Sequence, residues 1–315
     1  MAEEDFVLSK NTRSRRFRWH WFFEQERWLA WALIIPAMLV VFGLIFVPIV
    51  RALWMSLHII DLTRPAIGQP FVGLGNYIEI MQNKYFWASI GRTFYFMFAS
   101  IAFEMVAGIA VALLLNTEFR GRAILRTLVL IPWALPITID AIMWKWIFNP
   151  SYGAFNSLLY QLGLISTYQA WLSDPMSALH VVIIADVWKV TPLVILLTLA
   201  ALQTIPGELY EAAVMDGANR IAYFWSVTLP LLTPTLLIVL VVRTMDAFKV
   251  FDIIYIMTSG GPSDGTKLIA YYTYLEAFSF LHLGTGAALA YLMTIFIGLL
   301  AYIYIRLLKN REIEY

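Results

Sequence analysis

The chain has 315 residues, of which 61% are hydrophobic and only 14% charged, with a net charge of +1. A soluble domain carries about 25% charged residues, so a water-soluble globule would need a larger core than this chain can enclose, and a membrane is the simpler solvent. The near-zero charge without a long basic run gives no nucleic-acid signal, and the absence of cysteine excludes disulfides, thiolate metal sites and cysteine nucleophiles.

The chain opens on a basic segment, 1–27, carrying Lys10, Arg13, Arg15, Arg16, Arg18 and Arg27. Ser14-Arg15-Arg16-Phe17 imitates a twin-arginine signal. However, Glu24, Glu26 and Arg27 separate it from the next apolar run, which is too long for a signal peptide. Residues 17–28 mix arginine with Trp19, Trp21, Phe22 and Phe23. This suits either a short helix lying in the headgroup region or a plain aromatic and basic anchor for the first span.

Six apolar segments follow, at 28–53, 90–115, 124–148, 178–202, 231–257 and 286–307. The first contains an uncharged run from Trp28 to Val50. At about 1.5 Å per residue it rises about 35 Å, enough to cross a hydrocarbon core of about 30 Å. Backbone amides in lipid must be satisfied internally, and runs this long do not alternate as barrel strands do. The expected fold is therefore all-α and integral to the membrane, with six transmembrane helices and a short tail at 308–315. Pro132 and Pro136 in span three, and Pro230 and Pro234 at the start of span five, break backbone pairing and permit bending.

Basic residues set the orientation. Besides the N-terminal segment, Arg120, Arg122 and Arg126 follow span two, and Arg306, Lys309 and Arg311 close the chain. The opposite loops hold only Arg64, Lys84 and Lys267. Both termini and the loop around Glu211 are expected to be cytoplasmic.

Several ionisable residues fall inside the spans: Asp140 and Lys145, Asp186 and Lys189, and Arg243, Asp246, Lys249 and Asp252. A charge at mid-bilayer costs about 2.5–3.5 kcal/mol on insertion scales, so these groups should face one another or a cavity. Their rise along the spans places Asp186 about 12 Å deep from outside, with Asp140 about 24 Å, Arg243 about 18 Å and Asp252 about 32 Å from the cytoplasmic ends. A polar cavity open to the outside and lined by spans three, four and five is expected. Two readings stand. The series Asp186/Lys189 and Arg243/Asp246/Lys249/Asp252 can neutralise itself through i,i+3 pairs. Alternatively, some members hydrogen-bond a solute's hydroxyls beside Trp144, Trp188 and Phe248.

Between spans four and five lies a polar, helix-prone loop at about 204–230. Its centre reads Glu208-Leu209-Tyr210-Glu211-Ala212-Ala213-Val214-Met215-Asp216-Gly217-Ala218-Asn219, continuing to Thr228-Leu229-Pro230. Pro206 suits a first helical turn. Glu208 and Glu211 fall at the positive end of the helix dipole, and Ala212 and Ala213 allow close approach of another backbone. Gly217 supplies the left-handed residue that ends a helix. Two short helices with a bend at Gly217 follow, the second running from about Asn219 to Thr228 and stopping at Pro230. From physics alone this is either a surface hairpin or a docking element.

Chemistry of other kinds finds no foothold. The histidines His20, His58, His180 and His282 lie outside the spans or near their ends, and no H-E-x-x-H occurs. The stretch from Gly260 to Lys267 imitates a phosphate loop, but ends Gly-Thr-Lys where that motif needs Gly-Lys-Ser/Thr after a strand. The chain is not expected to be an enzyme.

The Glu-Ala-Ala loop with Gly217 and Leu229-Pro230 resembles the EAA loop of membrane subunits of bacterial ABC importers. Further strings are similar to the maltose/trehalose group of carbohydrate permeases. They are Phe71-Val72-Gly73-Leu74-Gly75-Asn76-Tyr77, Asp186-Val187-Trp188-Lys189-Val190-Thr191-Pro192, the run from Arg243 to Asp252, and Thr258-Ser259-Gly260-Gly261-Pro262. The large extra domain of some maltose permeases is absent. The resemblance implies a type I importer permease in a bacterial or archaeal cytoplasmic membrane, carrying a trehalose- or maltose-like sugar. It implies a second, homologous permease, two ATP-binding subunits that hold ATP and magnesium, and an extracytoplasmic sugar-binding protein. It implies ATPase coupling through Glu208, Glu211, Ala212, Ala213, Asp216 and Gly217. Solute contacts carried over by position fall at Asp186, Lys189, Leu193, Asp246, Phe248 and Lys249. A phosphorylated glycerol cargo, suggested by Lys189, Arg243 and Lys249, and an ion-coupled transporter remain as alternatives.

Overall fold

The computed structural model describes residues 26–309. The basic segment 1–25 and the charged end 310–315 lie outside them, and so does nearly all of the expected interfacial segment 17–28. The chain divides into two compact units at Ala52/Leu53. The first holds most of one helix, α1 (Ala30–Ser56), on which every side chain from Ala30 to Arg51 is exposed. Its apolar run, free of charge from Ala30 to Val50, suits lipid as a solvent.

The second unit contains α2 (Gly75–Gln82), α3 (Lys84–Asn116), α4 (Arg122–Ala134), α5 (Ile137–Ile147), α6 (Ala154–Gln161) and α7 (Pro175–Leu202). It continues with α8 (Gly207–Met215), α9 (Arg220–Phe248), α10 (Asp252–Met257), α11 (Ile269–Tyr274) and α12 (Leu283–Arg306). The only β pairing among the described residues is two isolated antiparallel bridges, His58–Phe71 and Asp61–His282. Among the described residues five helices are long and apolar enough to cross a membrane, and the bent α4–α5 pair brings the number to six when it is counted as one span.

The core lies between α3, α7, α9 and α12, around Phe86, Phe96, Val182, Phe248 and Leu289. Gly108 lets α3 and α7 approach closely, because a Cβ there would sit 2.5 Å from Val194 Cγ1. Small residues at such crossings are how membrane helices gain van der Waals contact where no hydrophobic drive acts.

Three expectations change in detail. Span three is not one helix: α4 and α5 meet at 97°. Pro136 has no N–H to offer the Pro132 carbonyl four residues back, and it holds Leu135 extended at φ −70°, ψ 141°. Span five does not begin after Pro230. The second helix of the loop runs on through both prolines as α9, with one widened turn at Phe224–Thr228. That turn gives the Pro230 ring room against the preceding carbonyls. Span five also ends earlier than expected, at Phe248, and α10 restarts at Asp252.

Candidate functional site

Three helices meet at a buried charge cluster. Arg243 of α9 donates from Nε and Nη2 to the two carboxylate oxygens of Glu104 in α3, both at 2.6 Å. Its Nη2 also reaches Asp186 Oδ2 of α7 at 2.9 Å. The Arg243, Glu104 and Asp186 side chains are 4%, 0% and 7% exposed. The planar guanidinium matches a carboxylate fork in a way no lysine can. The cluster ties α3, α7 and α9 together where lipid could satisfy none of these groups. Asp186 therefore pairs across helices, and the expected i,i+3 pair with Lys189 is not made. Glu104 was not singled out from the sequence.

Lys189 instead reaches the broken span. Its ammonium donates to the carbonyls of Pro132 at 3.0 Å, Trp133 at 3.2 Å and Leu135. The helix ends at these oxygens, and only the Pro132 oxygen keeps a backbone bond, a long one from the Leu135 N–H at 3.4 Å. One turn into α5, Asp140 is fully buried with no hydrogen-bond partner on either carboxylate oxygen.

Asp246 and Lys249 do form the expected i,i+3 pair, at 3.0 Å, with side chains about half exposed at the end of α9. Lys145 donates to the Ile256 carbonyl at 3.2 Å, joining α5 to α10. Leu193 is half-buried. Phe248 is fully buried, its ring 5.8 Å from Phe94 and 6.1 Å from Phe296. The expected solute residues are thus not gathered on one surface.

The cavity also differs from expectation. A space of about 930 Å³ lies between α3, the α4–α5 pair and α7, bordered by Phe103, Pro132, Trp144, His180, Trp188 and Thr191 among others. Spans two, three and four line it, span five does not, and its walls are mainly apolar. Most of the charges expected to face it are instead engaged with one another or with the backbone, and Asp140 is buried without a hydrogen-bond partner. Trp144 and Trp188 meet edge to face at 5.8 Å on its wall, and Tyr95 hydrogen-bonds His180 at 2.6 Å.

The loop between α7 and α9 is a helical hairpin. Pro206 caps α8. At its other end Gly217 has φ +82°. The Ala218 N–H bonds the Ala213 carbonyl, and the Gly217 N–H bonds that of Val214, both at 2.9 Å. This is the paired closure of a helix ending in a left-handed glycine. Asn219 then caps α9 by accepting from the Ala222 N–H at 2.8 Å. Tyr210 packs on Tyr223 at 5.4 Å and joins the two legs. Glu208, Glu211, Ala212, Asp216 and Gly217 are exposed, and Ala213 is half-exposed. Met215 at 87% exposed, with Val214, Ile221 and Trp225, adds an apolar surface beside them.

The stretch from Gly260 to Lys267 is a tight loop. Thr258 and Thr266 hydroxyls bond at 2.6 Å, and Lys267 is paired with Asp264 at 2.6 Å. No group of His, Cys, Asp or Glu able to hold a metal ion occurs among the described residues.

Comparison with known proteins places these features. The model of the family described as "Binding-protein-dependent transport system inner membrane component" matches residues 104–313. The trehalose/maltose transport system permease protein MalF of Thermococcus litoralis is 42% identical over 91% of this chain and 96% of its own length. The sulfoquinovosyl glycerol transport system permease protein SmoG of Agrobacterium fabrum is 34% identical over 94% and 95%. The fold matches a chain of a bacterial ABC transporter involved in the import of alginate. The TM-score is 0.80 at 22% identity, covering 93% of this chain and 99% of that one.

Proposed function

The chain belongs to the inner membrane components of binding-protein-dependent transport systems, and from that membership we infer how it works and what it carries. It is a permease subunit of an ABC-type importer for a carbohydrate-like substrate. Such subunits are not catalytic, and ATP is hydrolysed in a separate subunit. Membership in this family leaves the ion-coupled alternative without a role for the exposed hairpin.

The cargo we assign is a neutral trehalose- or maltose-like glycoside. The observation that carries this is the 42% identity, over nearly the full length of both chains, to the trehalose/maltose permease protein. The charge pattern supports it. A phosphorylated cargo needs a free cation to meet it; of the three cations that suggested one, two are committed inside the protein, and the third, on the exposed side, has its charge offset by a carboxylate. Arg243 holds Glu104 and Asp186, Lys189 holds three carbonyls, and Lys249 holds Asp246.

The working unit pairs this chain with a second, homologous permease. Two ATPase subunits sit on the cytoplasmic side and a sugar-binding protein on the other. The basic ends of the spans support that orientation. ATP-driven closure of the ATPases pulls on the α8–α9 hairpin through Glu208, Glu211 and the Ala212-Ala213 surface, with Gly217 setting the bend. Because α9 is one helix from the hairpin into the bilayer, a displacement at Arg220 passes directly toward Arg243. Asp246 and Lys249, half-exposed beside the break that ends α9, are the better-placed of the expected solute contacts.

The cargo is tested by ATP-dependent uptake into proteoliposomes bearing the full complex and its binding protein, with radiolabelled trehalose, maltose and glycerol 3-phosphate. Uptake of the disaccharides but not the phosphate is expected. Selective uptake of the phosphate would overturn the assignment.

A further inference from the structure

The break in span three costs backbone oxygens their helical donors: the Pro132 carbonyl keeps only a long bond from the Leu135 N–H at 3.4 Å, and one side chain reaches it together with the Trp133 and Leu135 carbonyls. The Pro132 carbonyl would ordinarily accept from residue 136, which is a proline and has no N–H. Trp133 and Leu135 lie beside it, where the helix has ended and its carbonyls lack partners. Lys189, projecting from α7, bonds all three carbonyls and so uses all three N–H donors of its ammonium.

A second acceptor for the same ammonium stands nearby. Asp140 is one turn beyond Pro136, and its N–H bonds the Pro136 carbonyl at 3.1 Å. Its carboxyl is fully buried, and neither oxygen has a hydrogen-bond partner. Lys189 acts on Asp140 electrostatically, as do the Asp186 carboxylate and the Trp144 indole N–H. A buried polar group left without a partner is costly, so a native structure that keeps one calls for an explanation.

We propose that the span-three break is a two-position joint and that Lys189 is its positioning residue. In the described position the ammonium caps the carbonyls of α4 and Asp140 waits. In the other position the ammonium pairs with Asp140, the carbonyls at 132, 133 and 135 are released, and the angle between α4 and α5 changes. One cation cannot satisfy both acceptor sets, so the joint has two arrangements rather than a continuum. Its angle sets two walls of the large cavity, because Pro132 borders it from α4 and Trp144 from α5. Lys189 thereby shapes the pathway and does not bind the solute.

The consequence for transport rests on the importer reading, but the joint can be measured independently of it. The chain has no cysteine, so with partner subunits made cysteine-free, Thr127→Cys and Trp146→Cys place a unique spin-label pair on exposed positions of α4 and α5. In the reconstituted complex, two distance populations are expected, with their ratio moved by ATP. Asp140→Asn, which keeps shape and removes the attracting charge, is expected to leave only the capped population and to lower uptake at least tenfold. Lys189→Met is expected to broaden the distribution, and Lys189→Arg to restore two populations in part. A single distance in the parent that neither ATP nor Asp140→Asn alters would overturn the joint. So would an Asp140→Asn complex that transports and switches like the parent. If the parent complex itself shows no ATP-dependent uptake, the importer reading fails, whatever the distances show.

Discussion

Replacing Arg243 by Met tests whether the charge cluster holds the bundle together. The side chain keeps much of its aliphatic length but loses the guanidinium. Glu104, with no exposure, loses both its 2.6 Å bonds, and Asp186 loses its bond at 2.9 Å. Two buried carboxylates then face each other without a cation. Removing one partner from a buried pair costs about 3–5 kcal/mol, and one cation here serves two acids, which favours the upper end. Glu104→Gln is milder. Asp186 keeps its bond, and the loss is about that of a charged hydrogen bond, roughly 1.5–3 kcal/mol. Replacing all three groups by apolar residues of similar volume should recover most of the loss, since such swaps are often neutral or better. Thermal unfolding of the purified complex in detergent gives the order: parent and apolar triple variant highest, Glu104→Gln between, Arg243→Met lowest. At about 2–4 °C per kcal/mol for a domain of this size, Arg243→Met should lose on the order of 10 °C. An Arg243→Met complex that melts with the parent, or a triple variant no better than the single one, would refute the reasoning.

Three further outcomes are expected. Gly108→Ala drives a Cβ to within 2.5 Å of Val194 Cγ1 and should cost about 1–3 kcal/mol by overpacking. Adding Val194→Ala should return much of it in the same melting assay. Gly260→Ala combines a φ of +79° with a Cβ placed 2.5 Å from Tyr271 Cε1. It should therefore destabilise more than Gly121→Ala, whose φ is +90° but which meets nothing within 4 Å. In the loop after α1, the Thr63 hydroxyl and then Arg64 hold the Asp61 carboxyl well below the usual carboxylate range. Its contribution is complete above the unfolded value of about 3.9 and is lost only as pH falls from there toward the lower folded value. Protease resistance of that loop should be unchanged between pH 7 and pH 5 and should fall below about pH 4. Asp61→Asn should remove that acid step.

The sequence carries the spans because lipid demands long apolar helices, and it carries the hairpin because Pro206, Gly217 and Asn219 act through their neighbours alone. What it hides is pairing at a distance. Glu104 is the only charged residue between Thr93 and Asn116, and such a residue in a span requires a partner. That partner, Arg243, lies 139 residues away, so no local spacing reveals it. The nearness of Asp186 to Lys189 suggested a local pair. The stronger demand on Lys189 comes from the Pro132, Trp133 and Leu135 carbonyls freed by a proline in another helix. Once those cations are spent on protein acceptors, a polar cavity lined by spans three, four and five no longer follows. Pro230 also looked like a stop, but one widened turn lets α9 continue through it, so the second leg of the hairpin and span five are one helix.

The α8–α9 hairpin, proposed as the contact for the ATPase, is the centre of the account. Gly217→Asp adds a side chain at φ +82° where no atom lies within 4 Å, so its strain, about 1–2 kcal/mol, is confined to the backbone at the bend. Glu211→Lys reverses an exposed charge at a folding cost of at most about 1 kcal/mol from the helix dipole. The measurement is ATP-dependent uptake of radiolabelled trehalose by the reconstituted complex, with ATPase retention followed by co-purification. The account predicts uptake that requires ATP, is lost in both variants, and is accompanied by weaker retention of the ATPase while the permease pair still melts near the parent temperature. Uptake that persists in both variants, or that proceeds without ATP, would contradict it.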